Sequence, residues 1–446
     1  MRNGPKASTI WIIASLFSAL LVSRVQHPFR IKDQPHPSLV ALRFMVEKIC
    51  ESTTNWSSST EGYSVHNLNL AEPLYLRIAD LSMQDMRRLA TSAEDRSLAT
   101  ISASKVTSET VLRHSPLSLA EHAVAIAMLT FGVPNCVVSI PVVTFLAGKY
   151  IIGNVALAFQ ALGIVALPLA LWPLDFVPSR LQTWPAQVLF RYFSMSMIME
   201  ERPPTHCVGN GTEKDPPQGQ QHRPTIVAAY PHGVFPYGSM LTVMSWPLLT
   251  GHYMRGIAAS AALRTPIVRQ CLEALATVHA SRASARAVLE TWPYTLGVSP
   301  GGVAEVFLVN EDQPTILLKE RLGIIKLAIR TGADIVPAYM FGNTELYQCW
   351  IGEGVPGLKR LLEWCSRRVV GFATVVMWGR WLLPIPYRIP LLTVLGRPIP
   401  TNHLKCEEPT LEQMLEIQQQ LEVSIAEVFN RYKHLYNLKD KKLVIR

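Results

Sequence analysis

From residue 224 onward the chain alternates between two patterns. Short apolar runs at 225–229, 255–259, 295–299 and 335–341 predict strands. Segments of helical period at 239–246, 266–275, 283–291 and 321–331 predict helices between them. This alternation predicts an α/β fold with a mainly parallel sheet and flanking helices, whose ligands gather at the carboxyl ends of the strands. The last helix is marked more strongly. Thr410 and Gln413 match a capping box. Leu411, Met414, Leu421, Ile425, Val428, Tyr432 and Leu435 then recur as a core stripe. The terminal KDKKLVIR reads as a solvated basic tail or a headgroup contact.

Upstream the pattern changes. Residues 123–148 and 150–174 contain no charged side chain, and only Lys149 separates them. At 26 and 25 residues, each run is long enough for a bilayer that needs ~20. They predict a membrane hairpin at 119–180, spanning or re-entrant, with both ends on the same side. A buried hairpin of a soluble core is the weaker alternative, because soluble helices rarely lack charge for so long. Residues 7–23 follow Arg2 and Lys6 and are also uncharged. The segment after them is a poor cleavage site, so an N-terminal anchor over 1–30 is expected rather than a removed signal. Residues 31–118 read as an N-terminal extension without evident chemistry. Within it, 85–98 predicts a polar helix and TTNWSSST a loop. The polar, Pro- and Gly-rich stretch 201–223 predicts a flexible insert in a catalytic domain over 181–440.

Composition agrees with a membrane setting. Hydrophobic residues make up 49% and charged residues 17%, below the ~25% common in soluble domains. The net charge of +9 suits anionic headgroups or phosphate-bearing ligands. No basic-aromatic or zinc-finger pattern points to nucleic acid. Seven scattered cysteines without a C-x-x-C pair argue against a disulfide framework and against a zinc site.

Three stretches carry candidate chemistry. In YPHG, Pro231 ends a strand, Gly233 permits close backbone approach, and His232 stands at the sheet edge as a candidate general base. For a lone P-H-G a plain turn is the better explanation. In VSPGGVAEVF, the N–H groups of Gly301 and Gly302 form a candidate oxyanion nest. Glu305 follows as a carboxylate that could orient His232, or as a simple cap. In RLGIIKLAIRTGADIVPAYMFGN, Arg321, Lys326 and Arg330 stud an apolar helix, with Lys326 and Arg330 on one face.

Together these stretches resemble the diacylglycerol acyltransferase type 2 family and its monoacylglycerol and wax-alcohol relatives. The family's H-P-H-G is similar to YPHG, its P-G-G-x-x-E to residues 300–305, and its R-x-G block to residues 321–343. LGRPIP at 395–400 and RYF at 191–193 fit further elements, and the likeness runs over about 120–435. It implies a glycerolipid-acyltransferase-like sheet and an acyl-CoA:diacylglycerol O-acyltransferase. His232 would be the base and Glu305 its orienting partner. Pro231, Gly233, Gly301, Gly302, Arg321, Lys326, Asn343 and Glu345 would line the substrates, with the cations meeting CoA phosphates. Partners would be acyl-CoA, diacylglycerol, the bilayer and another copy of the chain, with no nucleic acid. No metal or prosthetic cofactor is expected. The endoplasmic reticulum membrane and lipid droplets are the implied locations. Departures are Tyr230 for the first His and Asn343 for the usual Glu, with Glu345 two residues on. Tyr237, not Asp, stands five residues after His232, unlike the N-H-x-x-x-x-D of distant glycerolipid acyltransferases. A membrane lipid hydrolase, which would want a G-x-S-x-G nucleophile elbow, is a rival enzyme class. A non-catalytic membrane scaffold is a different class, and the intact His232 and Glu305 argue against it.

Overall fold

The computed structural model describes residues 72–132, 135–171, 183–201, 223–265, 268–291, 295–319 and 321–446. The expected anchor at 7–23, the TTNWSSST loop and nearly all of the insert at 201–223 lie outside these residues.

Among the described residues the main sheet has nine strands. In chain order they are β1 (Leu74–Leu76), β2 (Ile101–Ser102), β3 (Ser196–Met199), β4 (Thr225–Tyr230), β5 (Arg255–Ala258), β6 (Thr277–His279), β7 (Thr295–Val298), β9 (Asp334–Phe341) and β12 (Leu392–Leu395). The intervening short strands are β8 (Thr315–Ile316), β10 (Gln348–Trp350) and β11 (Val376–Trp378), and β13 (Val444–Ile445) ends the chain. The spatial order is β2-β1-β3-β12-β9-β4-β7-β5-β6. The run from β9 to β6 is parallel throughout, and β3 pairs with β12 in parallel too. β12 runs antiparallel to β9, and β1 antiparallel to β2 and β3. Residues 72–118 therefore extend the edge of the same sheet. Their expected polar helix is divided in two, Met83–Thr91 and Ala93–Ala99, because Ser92 is extended and caps the second half.

The central strands are buried on both faces. Along β4, Val227 and Ala229 enter one core, while Ile226, Ala228 and Tyr230 enter the other. β9 divides in the same way, with Val336, Ala338 and Met340 against Ile335, Tyr339 and Phe341. This period-2 division explains why both strands read as continuous apolar runs.

The upstream helices are α1 (Leu119–Phe131), α2 (Cys136–Ala147) and α3 (Val155–Leu171). The stretch expected to form a membrane hairpin, spanning or re-entrant, is not one continuous pair of helices. Gly132 ends α1, and a π-turn over Gly148–Ile152 followed by left-handed Gly153 ends the next helix. Over its 17 described residues α3 runs ~25 Å. Among the described residues no helix is long and apolar enough to cross a membrane. α2 and α3 still pack as a hairpin. A Cβ on Gly148 would stand 2.9 Å from that of Ala158, so glycine lets the two segments meet. Val143, Phe145, Ile151 and Ile164 are among the apolar side chains this hairpin leaves exposed.

The other large helices pack the sheet: α4 (Tyr237–Thr250) on one face, α5 (Leu322–Thr331) and α6 (Leu411–Tyr432) on the other. The capping box of Thr410 and Gln413 is formed. Of the predicted stripe, Leu421, Ile425, Val428, Tyr432 and Leu435 are buried. The tail is a correction. Val444 and Ile445 pair in parallel with Thr315 and Ile316, and Leu318 and Lys319 donate to the Arg446 carbonyl.

Two substitutions on α6 separate packing from propensity. Ile425→Ala, at a fully buried position, is expected to cost about 2–5 kcal/mol, and Val423→Ala, about half exposed, less than ~0.5 kcal/mol. Denaturant melts of the two variants check this; equal losses would place the stripe elsewhere.

Candidate active site

β7, β4 and β9 are neighbours, and each delivers one motif from its carboxyl end. Pro231-His232-Gly233 follows β4, Pro300-Gly301-Gly302 follows β7, and Gly342-Asn343 follows β9. The register places Ala228 opposite Val298 and Tyr230 opposite Tyr339. Three stretches far apart in sequence therefore meet at one edge.

Asn343 locks the first motif. Its Nδ2 donates to the Pro231 carbonyl at 3.0 Å and to the His232 carbonyl at 2.8 Å. Its Oδ1 accepts from the Gly238 N–H at 2.9 Å, fixing the start of α4. Gly233 has φ +67°, and a Cβ there would meet the Asn343 carbonyl at 2.7 Å. Glycine is required on both counts. The His232 Nδ1 lies 2.9 Å from the Gly233 carbonyl. In the tautomer that donates this bond, Nε2 is the acceptor. Burial pushes the imidazolium below its ordinary pKa, with the Gly233 carbonyl partly opposing, which favours the neutral ring.

Glu305, only 2% exposed, carries the second motif. One carboxylate oxygen accepts from the backbone N–H of His232 at 2.7 Å, the other from that of Leu317 at 2.8 Å. The expected orienting role is thus corrected: Glu305 holds the His232 backbone, while the ring nitrogen is held by Gly233. A Cβ on Gly301 would fall 1.9 Å from the Glu305 side-chain carbon, so glycine makes room for the carboxylate. The expected nest is also corrected in part. The Gly302 N–H donates to Ser299 at 3.1 Å, and the Gly301 carbonyl accepts from Arg321 at 3.1 Å. Desolvation raises the Glu305 pKa to about 7, against the two N–H bonds and the Arg321 charge.

Of the cations, Arg321 alone touches the motifs. Lys326 bonds Glu408 at 2.9 Å, and Arg330 pairs with the same carboxylate. Both therefore face the segment before α6 rather than the strand ends, which corrects the phosphate-contact expectation for Lys326. Glu345 lies on the surface just past the Gly342 turn and makes none of these bonds. The Tyr230 side chain points into the opposite core, and its hydroxyl finds no hydrogen-bond partner. Two features were not singled out from the sequence. Leu317 contributes only an N–H, and Ser239 and Ser299 share a hydroxyl bond of 2.8 Å at the same edge. Among the described residues no cluster of His, Cys, Asp or Glu has a metal-holding arrangement.

A half-buried imidazole on a clamped loop at the carboxyl edge of a parallel run defines an α/β protein with a candidate base at its strand ends. The chain belongs to the diacylglycerol acyltransferase family, whose match covers residues 217–446. It is similar to diacylglycerol O-acyltransferase 2B of Umbelopsis ramanniana, with 28% identity over 47% of this chain and 64% of that protein. It is also similar to human acyl-CoA wax alcohol acyltransferase 1, with 25% identity over 47% of this chain and 67% of that protein. The chain thus spans just under two thirds of the fungal relative. A solved structure, the 1-acyl-sn-glycerophosphate acyltransferase PlsC of Thermotoga maritima, aligns over 63% of this chain and 89% of that one, with 16% identity and a TM-score of 0.31.

Glu305→Gln is expected to leave one backbone N–H facing an amide NH₂, at a cost of about 1–3 kcal/mol. Its pH dependence is diagnostic. The folded pKa of about 7 lies above the ordinary 4.5, so the protonated form is favoured by folding. That contribution is present below pH 4.5 and is lost as pH rises through 7, a change of about 3 kcal/mol. The Tm deficit of Glu305→Gln should therefore shrink between pH 4.5 and 7; a deficit independent of pH contradicts the buried-carboxylate account. Lys326→Glu, in turn, should lower Tm only slightly, because Lys326 pairs with Glu408 in an exposed position. A large loss of stability would contradict that exposed pairing.

Proposed function

We propose that the chain is a membrane-bound acyl-CoA:diacylglycerol O-acyltransferase that makes triacylglycerol. His232 accepts the proton of the acceptor hydroxyl as that oxygen attacks the thioester carbonyl, and CoA leaves as the thiol once protonated. The observation that carries the reading is the placement of His232 at the strand ends, anchored through its backbone by Glu305 and through its flanking carbonyls by Asn343, with burial lowering its pKa. The family match adds the reaction class. The Gly301 N–H and the guanidinium of Arg321, which bonds the Gly301 carbonyl, are the donors proposed for the developing oxyanion. Acyl-CoA serves as co-substrate, with no prosthetic group or metal. The apolar surface of α2 and α3 supports attachment to the bilayer in which diacylglycerol resides, at the endoplasmic reticulum or a lipid droplet. A fatty alcohol is the second acceptor considered, favoured by the likeness to a wax alcohol acyltransferase.

Microsomes expressing the chain, given labelled acyl-CoA and a panel of diacylglycerol, monoacylglycerol and fatty alcohol, decide the acceptor. Labelled triacylglycerol above background is expected; wax ester alone would select the second reading. His232→Ala should lower kcat by about 10²-fold or more with expression unchanged. The acidic limb of kcat/KM should fall below the ordinary histidine pKa of ~6.5, because burial keeps the ring neutral. Full activity in His232→Ala would return P-H-G to a structural turn.

A further inference from the structure

Between β9 and β12 the chain leaves the sheet for some fifty residues. The antiparallel pair β10–β11 forms the stem of this excursion, and the helix Leu358–Cys365 with the π-turn Ser366–Val370 forms its far end. The helix has an unusual surface. No residue of it is fully buried, and only Leu362 packs on the main core. Arg360, Leu361, Trp364, Arg367 and Arg368 recur at i, i+1, i+4, i+7 and i+8, so they share one outward face. Leu361 is 54% exposed and Trp364 57%. A water-facing helix would carry polar residues there, and a core helix would bury them. Over 355–370 four basic side chains stand against one acid, Glu363.

At the near end of the stem, Trp381 and Leu382 are 61% and 78% exposed. Both hold positive φ, 56° and 59°, which bulky residues rarely adopt. This tip is fastened to the apolar helices. Asn135 donates to the Pro384 carbonyl, and Arg380 bonds the His122 ring at 3.0 Å. The excursion is therefore continuous with the apolar surface of α1–α3. Its π-turn also packs against the short helix Val303–Val306 that carries Glu305.

We propose that the outward face of the 358–370 segment docks on an anionic phospholipid surface, separately from α2 and α3. Trp364 and Leu361 enter the headgroup region, and Arg360, Arg367 and Arg368 meet lipid phosphates and carboxylates. An in-plane helix with apolar and aromatic anchors among basic side chains is the form that binds such surfaces. Trp is at home at that depth because its ring is apolar and its N–H polar. The proposal does not depend on acyl transfer, and its test needs no turnover.

The full chain, purified in detergent, is exchanged onto vesicles of phosphatidylcholine alone or mixed with phosphatidylserine, with acyl chains brominated to quench tryptophan. Trp364→Phe should remove a quenched component of the fluorescence, larger on the anionic vesicles. Each basic residue near an anionic surface strengthens binding about fivefold, so Arg360→Gln/Arg367→Gln/Arg368→Gln together should weaken the phosphatidylserine-dependent part of binding by about tenfold or more. Binding to neutral vesicles should change little. Identical quenching in the parent and Trp364→Phe overturns the proposal, as does a triple variant that keeps its preference for phosphatidylserine. Light scattering that shows a dimer broken by Trp364→Phe, without loss of quenching, assigns the face to a second copy instead. Trp381→Phe, run in parallel, reports the tip alone, and loss of quenching confined to that variant also counts against the helix.

Discussion

The site depends on one buried carboxylate. Glu305 is the point at which three separate parts of the chain are tied: the loop after β4 through the His232 N–H, the short helix after β7 on which Glu305 itself sits, and the 315–319 segment through the Leu317 N–H. Each bond uses backbone, so neither depends on the side chain at its other end. The tie extends further. The 315–319 segment is paired with β13 and accepts the amide of Gln418 from α6. The last residues of the chain are thus mechanically coupled to the loop that holds His232, over a path that sequence separation hides.

Such a carboxylate is costly. Two N–H bonds and a nearby guanidinium favour its charge, yet desolvation prevails and lifts its pKa to about 7. The fold retains it because the alternative is worse. Without it, the N–H groups of His232 and Leu317 would be buried with nothing to accept them. Gly301 belongs to the same constraint. The double glycine makes space where the carboxylate must lie, and then turns the chain, with Gly302 at φ +55°. A motif that reads as an anion nest is first of all a socket for the protein's own anion.

The central sheet was legible because strands buried on both faces must be continuously apolar, and β4, β7 and β9 have that pattern within a residue or two. Helix α6 was legible for a related reason: a capping box and a 3.6 period are local signals. The three motifs were recognisable by residue type. Their bonding was not, because it is made of tertiary backbone contacts. Nothing in P-G-G-x-x-E says whether the Glu faces an imidazole or an amide N–H. Lys326 and Arg330 looked like ligand contacts because their partner, Glu408, lies some eighty residues away in a segment without pattern. The tail KDKKLVIR failed for a different reason. Only Val444 and Ile445 pair, and a two-residue strand is too short to show any period. The apolar runs at 123–148 and 150–174 show their lack of charge in the sequence but not where their helices end, since a glycine that ends a helix and one that merely lies within it look alike there.

The two departures from the resembling motifs have different physical weight. Tyr230 faces the core shared with α5 and α6, with its hydroxyl unpartnered. It fills volume in that core, within electrostatic reach of Glu305 and Arg321. Asn343 is bound up with the site itself. Its three contacts demand two donors and one acceptor, which is the inventory of a carboxamide. An ionised carboxylate there would still accept the Gly238 N–H but would present lone pairs to the carbonyls of Pro231 and His232. The loop would then have to move away from β9, and His232 with it. In this chain the geometry of the P-H-G turn and the amide at 343 therefore require one another. A charged residue at that position would need a different path for the loop, and Glu305 would be the remaining tether on the His232 backbone.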